Sequence, residues 1–236
     1  MFEAILFDLD GTLLDIDMNY FLPQYFNKMM VMAKDFGIDE VETMAKQIYK
    51  STDVMISDVN PNFTNEEVFM QDFINKFNGL TADEALKFFE HFYANGFPQL
   101  QEHAQPFPGV PEMMNDVFGR GFKVVIATNS VFPRSAIVER LHWAGVKNFD
   151  YSLITSYEVM HFCKPHPDYY LEIANSIGVD PKKCLMVGND IGEDLVAGKI
   201  GMRTFLVEDR LIDKGVDLKP DWRGNLKSLF TFFDQI

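Results

Sequence analysis

Ala4-Ile5-Leu6-Phe7-Asp8-Leu9-Asp10-Gly11-Thr12 is the stretch on which the reading of this chain turns. A short unbroken apolar run such as Ala4 to Phe7 is the pattern of a strand buried on both faces. Burial excludes carboxylates unless a cation or hydrogen bonds compensate them. Asp8 and Asp10, set where that strand ends, therefore mark a site. In an open α/β sheet ligands bind in the crevice beyond the carboxyl ends of the strands, which is where these two acids fall.

Outward from this strand, four further apolar runs read as strands: 122–127, 151–155, 184–187 and 204–207. Helical stretches alternate with them at 111–118, 133–144, 167–177 and 192–199. The alternation predicts an α/β protein with an open, doubly wound parallel sheet of five strands, covered on both faces. Gly178 after Ile177 is a helix stop, and Asp180 followed by Pro181 has the form of an N-cap with proline in the first helical position.

Residues 16–105 break the rhythm, with no convincing strand and successive amphipathic helical patterns. Thr64 with Glu67 and Thr81 with Glu84 have capping-box spacing and mark two helix starts. Pro106, Phe107, Pro108 and Gly109 punctuate the return to alternation. We therefore expect a core of residues 1–15 and 106–236, with residues 16–105 inserted as an all-helical domain. Met29, Met30, Phe73, Phe88 and Phe89 recur near helical spacing within the insertion and are expected to form its core.

The 236 residues are 47% hydrophobic and 24% charged, values ordinary for a globular protein. A formal net charge of −14 without any basic run argues against nucleic-acid or membrane-surface binding. Cys163 and Cys184 have no metal-ligand spacing and make no disulfide framework, so inert thiols in a reducing compartment are expected. With no signal peptide or membrane span in the pattern, a cytoplasmic protein is the expectation.

Three more groups follow or flank expected strand ends: Thr128 and Asn129; Asn189, Asp190 and Asp194; and Lys164 with Pro165. All would reach one crevice if the strands are parallel. Each like-charge pair among Asp8, Asp10, Asp190 and Asp194 would cost about 4 kcal/mol at ~4 Å and an effective dielectric of 20. A cation must offset that repulsion. Oxygen ligands with few acids favour magnesium, which keeps waters and bridges carboxylates to phosphate. Lys164 adds positive charge, and Thr128 with nearby amides offers donors to anionic oxygens.

These motifs resemble the haloacid dehalogenase superfamily in its phosphatase branch, whose members include phosphoglycolate phosphatase, beta-phosphoglucomutase and nucleotidases. Asp8, Asp10 and Thr12 match the first motif, Thr128 the second, Lys164 the third, and Asp190 with Asp194 the fourth. The resemblance implies a Rossmann-like core and a helical (C1-type) cap. It implies that Asp8 is the nucleophile forming an aspartyl-phosphate and that Asp10 is the general acid and base. Mg2+ would be held by the Asp8 carboxylate, the Asp10 carbonyl and Asp190, and the phosphoryl oxygens by Thr128, Asn129 and Lys164. Asp194 would orient Lys164 or metal-bound water. Asn189 stands where the family often has Gly, a substitution expected to survive because Asn accepts left-handed backbone. Glu193 competes with Asp194 for the second acid of the fourth motif, and the spacing favours Asp194.

The expected function is magnesium-dependent hydrolysis of a small phosphorylated metabolite by a monomer or homodimer. A phosphomutase using the same site is the alternative. A carbon–halogen hydrolase or a non-catalytic binding protein fits less well, the former because such relatives usually lack the acid at Asp10. Phosphoglycolate, sugar phosphates and nucleoside monophosphates all remain open as substrates. His161 and His166 flank Lys164 but are expected to be loop or surface residues, and Lys164 taken alone would read as a solvated lysine.

Overall fold

The structure, a computed structural model, describes residues 2–236. The chain runs from β1 (Ala4–Phe7) and β2 (Leu14–Asp15) through four helices, α1 (Met18–Asp35), α2 (Val41–Ser57), α3 (Asn65–Lys76) and α4 (Ala82–Asn95). After β3 (Gln105–Pro106) come α5 (Val110–Gly119), β4 (Lys123–Ile126), α6 (Arg134–Trp143), β5 (Leu153–Ile154) and α7 (Pro167–Ile177). The chain closes with β6 (Cys184–Gly188), β7 (Arg203–Val207), β8 (Trp222–Gly224) and α8 (Leu226–Phe233).

Six strands form one sheet in the order β5-β4-β1-β6-β7-β8, and every neighbouring pair is parallel. All five expected strands are present. The sixth, β8, extends the sheet beyond the expected five; it is a three-residue edge strand with Trp222 and Arg223 exposed, so it carries no apolar run. The expected helix at 192–199 is a 3-10 helix over Asp194–Ile200.

Side chains alternate across β1: Ile5 and Phe7 join one core, whereas Ala4 and Leu6 join the other, where Tyr169, Tyr170 and Ile173 of α7 cover them. The strand is buried on both faces, as its unbroken apolar run requires. Successive connections run outward from β1 to β4 and β5, and β6 then returns to the opposite side of β1. That reversal opens a crevice at the carboxyl ends of β1, β4 and β6.

The helical insertion leaves and re-enters the core through β2 and β3, which pair antiparallel with Leu14 opposite Pro106 and Asp15 opposite Gln105. Both capping boxes are formed, by Thr64 with Glu67 and Thr81 with Glu84. Ala85, Phe88, Phe89 and Phe92 line the buried face of α4 at the i, i+3, i+4, i+7 spacing of an amphipathic helix. Met29 and Phe73 are buried too, and Met30 is partly exposed. Phe97 stacks on Trp143 of α6, with ring centroids 5.3 Å apart, and Asn65 Nδ2 donates to Ser130 Oγ at 2.8 Å. These contacts tie residues of the 16–105 segment to α6 and to the loop after β4. Among the described residues no helix is long and apolar enough to cross a membrane.

Candidate active site

Asp8 directly follows β1, and its backbone N–H donates to the Val187 carbonyl of β6 at 2.9 Å, which fixes the first acid beside the end of the neighbouring strand. The turn that follows requires glycine. Gly11 has φ 83°, and a Cβ there would lie 2.3 Å from Asn189 Nδ2. Thr12 Oγ1 lies 3.0 Å from Asn189 Oδ1 and 3.3 Å from Asp8 Oδ2, while Asn189 Nδ2 donates to the Arg210 carbonyl at 2.7 Å. Asn189 thus braces the first motif. It does so without left-handed backbone, since no described non-glycine residue has positive φ; the reason expected for its tolerance is corrected to a hydrogen-bonding one.

Lys164 is buried, contrary to its reading in isolation. Its Nζ donates to Asp8 Oδ1 at 2.9 Å and to Asp194 Oδ1 at 2.6 Å. The other oxygen of Asp194 accepts from the Asp190 N–H at 2.9 Å. A Cβ on Gly188 would lie 2.1 Å from that carboxylate, so glycine before the fourth motif makes room for it. Asp190 Oδ1 accepts from the N–H groups of Gly192 and Glu193, at 2.7 and 3.0 Å, and Oδ2 lies 3.3 Å from Lys214 Nζ. Glu193 instead meets Asn129 Nδ2 at 3.3 Å, so Asp194 is the acid that touches the lysine.

Thr128 and Asn129 line the same crevice as Asp8, Asp10, Asp190 and Asp194. The Thr128 carbonyl accepts from Tyr169 and Thr155 at 2.6 and 2.7 Å, and the Asn129 amide ties to the Lys164 backbone at 3.1 Å. Asp8, Asp10, Thr128, Asn129, Asp190 and Asp194 line one cavity, of about 850 Å³, and Lys164 lies buried behind its wall, joined to Asp8 and Asp194. His161 pairs with Glu172, at 2.6 Å, and His166 Nε2 meets the Ile56 carbonyl at 3.1 Å; neither lines the crevice. Cys163 and Cys184 are buried and free, and burial pushes their thiols up to about 12 and about 11.

Arg140 was not among the residues expected at the site. This fully buried residue of α6 forms an ion pair with Asp10 through Nη1, and its guanidinium lies 4.5 Å over the Phe132 ring. Its signal was positional: Ala136, Ile137, Arg140 and Leu141 share the buried face of α6, so a charge stood on an apolar stripe. Asp10 Oδ1 and Arg140 Nη2 are both buried without a partner.

Electrostatics follow from this burial. Burial opposes the Lys164 ammonium, but Asp194 and Asp8 outweigh it and hold the group above the ordinary lysine range. Burial, reinforced by Asp8 and opposed by Lys164, pushes Asp194 up to about 7. Burial also raises Asp10 against the attraction of Arg140.

The model for haloacid dehalogenase-like hydrolases matches residues 2–200. The chain belongs to this hydrolase family. A curated relative named pyrophosphatase PpaX, from Oceanobacillus iheyensis, is 25% identical over 84% of this chain and 78% of its own. A phosphoglycolate phosphatase from Aquifex aeolicus is 26% identical over 86% and 84%. The crystal structure of a predicted phosphoglycolate phosphatase from Haemophilus somnus superposes with a TM-score of 0.59 over 98% of each chain; its 20% identity makes this a likeness of fold.

The crevice of this hydrolase suits a hard cation. Its acidic donors are all oxygens, and no histidine or cysteine lines it. Among the described residues no three acidic, histidine or cysteine side chains form a ready cage. Such a donor set fits magnesium, which binds through one or two carboxylates and otherwise through water and phosphate.

Proposed function

We propose that this hydrolase is a phosphatase acting on small phosphate monoesters through a covalent intermediate on Asp8. The observation that carries the proposal is the buried Lys164, which bridges Asp8 and Asp194, two residues of the crevice, at 2.9 and 2.6 Å. A surface ion pair would need no such burial. A lysine committed to two carboxylates keeps a net negative cluster, which a phosphate enters only if further positive charge joins it.

In this reading an Asp8 carboxylate oxygen attacks phosphorus, and the bond to the ester oxygen breaks. Asp10, protonated, delivers its proton to the departing oxygen. Asp10 then takes a proton from water as that water attacks phosphorus, breaking the bond to Asp8 and restoring its carboxylate. Thr128, the Asn129 amide and Lys164 hold the phosphoryl oxygens, and Asp194 keeps Lys164 in place. Magnesium bound by the Asp8 carboxylate, the Asp10 carbonyl and Asp190 would neutralise phosphoryl charge. General acid catalysis contributes about 10²–10⁴-fold, whereas monoester hydrolysis can require an acceleration of ~10²¹. Positioning and electrostatics must supply the rest, which supports a site of many fixed partners.

Residues 1–15 and 106–236 would form the catalytic core, and residues 16–105 a cap that excludes water and contacts the leaving group. The test is phosphate release from a panel of phosphate esters with and without magnesium. Release that depends on magnesium supports the proposal. No release from any ester would overturn it, and a labelled phosphate retained in an isomeric product would reassign the site to group transfer.

A further inference from the structure

Beside the catalytic crevice lies a second, partly open cavity, of about 220 Å³, between the helical insertion and the core. Tyr25, Ile48, Phe69 and Phe89 line it from the insertion, and Phe132 and Tyr157 from the core. Met18, Leu22, Tyr49, Val131 and Phe132 line both spaces, so the two are contiguous. No lysine, arginine or histidine lines the smaller one, and its only acid is Asp53, an exposed residue.

The lining is mostly apolar, and several of its polar atoms already have protein partners. The Tyr25 and Tyr93 hydroxyls share one hydrogen bond at 2.8 Å, and Thr52 Oγ1 donates to the Ile48 carbonyl at 2.9 Å. A sugar or a carboxylate placed here would exchange its water for a mostly apolar lining, a cost that apolar groups do not carry. A second negative charge would also meet Asp53 and no cation. Apolar cavities of ~150 Å³ hold a benzene ring, so this one accommodates a substituted ring or a chain of several carbons.

We infer that this cavity is the leaving-group pocket and that the preferred substrates are phosphate monoesters of uncharged, apolar alcohols, aryl or medium-chain alkyl. The inference rests on the phosphatase reading above. It separates this chain from phosphoglycolate and from sugar phosphates, whose leaving groups are anionic or hydroxylated.

The test measures kcat/KM with magnesium for ethyl, butyl and hexyl phosphate, whose alcohols share nearly the same reactivity, alongside phosphoglycolate and acetyl phosphate. Each added methylene is expected to raise kcat/KM by roughly fourfold, the factor for burying one CH2, and hexyl phosphate should exceed phosphoglycolate. Ile48→Trp, which fills the cavity, should flatten the chain-length series and leave acetyl phosphate turnover intact. The wild-type series stands by itself if that variant does not fold. Turnover of acetyl phosphate with a flat series, or with phosphoglycolate preferred, overturns the pocket assignment alone. Absence of turnover on every compound overturns the phosphatase reading beneath it.

Discussion

Asp10 and Arg140, 130 residues apart in sequence, form an ion pair in which the guanidinium is fully buried and one carboxylate oxygen, Oδ1, is left without a partner. The pair holds the Asp10 side chain by one oxygen and leaves the other aimed at no protein group. In the proposed mechanism this buried oxygen is the one that would exchange the proton with the ester oxygen or water. Arg140 does not line the crevice, and under the proposed mechanism it would act through Asp10 as a positioning residue.

Arg140→Gln should shift the basic limb of kcat/KM to higher pH. Burial raises Asp10 and Arg140 opposes that rise, so removing the guanidinium leaves Asp10 protonated to higher pH. The limb reports the acid of the free enzyme. A pH–rate profile checks it, and an unmoved limb would separate Arg140 from the proton transfer.

Removing one partner of a buried pair strands the other. Arg140→Met should destabilise the fold by about 3–5 kcal/mol, and adding Asp10→Asn should recover part of that loss. Urea unfolding of the two single variants and the double variant gives the coupling. A loss within the range of surface substitutions, about 0.5 kcal/mol, would contradict the burial argument.

Stability should fall with rising pH through the site's acids. Asp194 is raised to about 7, so the folded state holds its proton more tightly than the unfolded chain does. The sign follows: its contribution is complete below the ordinary carboxylate range and is lost as pH rises to about 7. Asp194→Asn should flatten this dependence, and Lys164→Met, which removes the opposing cation, should extend the loss to higher pH. Urea midpoints at pH 5 and pH 8 without added metal distinguish these outcomes.

Lys214 reaches Asp190 Oδ2 at 3.3 Å from an exposed position, where it would compete with the proposed magnesium. Lys214→Met should lower the magnesium concentration needed for half-activation by less than about fivefold, the worth of an exposed pair. Asp190→Asn should raise it. Magnesium titrations of activity read both, and a Lys214 variant needing more metal would reverse the assignment.

Much of this architecture was legible in the residues themselves. The apolar run before Asp8 implied a strand buried on both faces, the two Thr–Glu boxes marked helix starts, and Gly178 marked the end of α7. Each is a local signal with a local cause. The edge strand at Trp222 was not legible, because two of its three side chains face solvent and leave no apolar run. Among site residues, the motif acids announced themselves by their position after strands, and Lys164, which precedes α7, only in their company. Arg140 did not, since its partner lies across the fold and only tertiary packing brings the two together. The bracing role of Asn189 was equally non-local, resting on Thr12 and the Arg210 carbonyl.

The central claim is that phosphorus passes through Asp8, and acid-quenched labelling tests it most directly. Incubated with magnesium and a 32P-labelled aryl phosphate, whose alcohol departs without needing a proton, Asp10→Asn should accumulate label approaching one per chain, mapped to Asp8. Wild type should show a smaller steady-state amount, and Asp8→Asn none. Label persisting in Asp8→Asn, or phosphate released by wild type with no label on either active protein, would contradict the account.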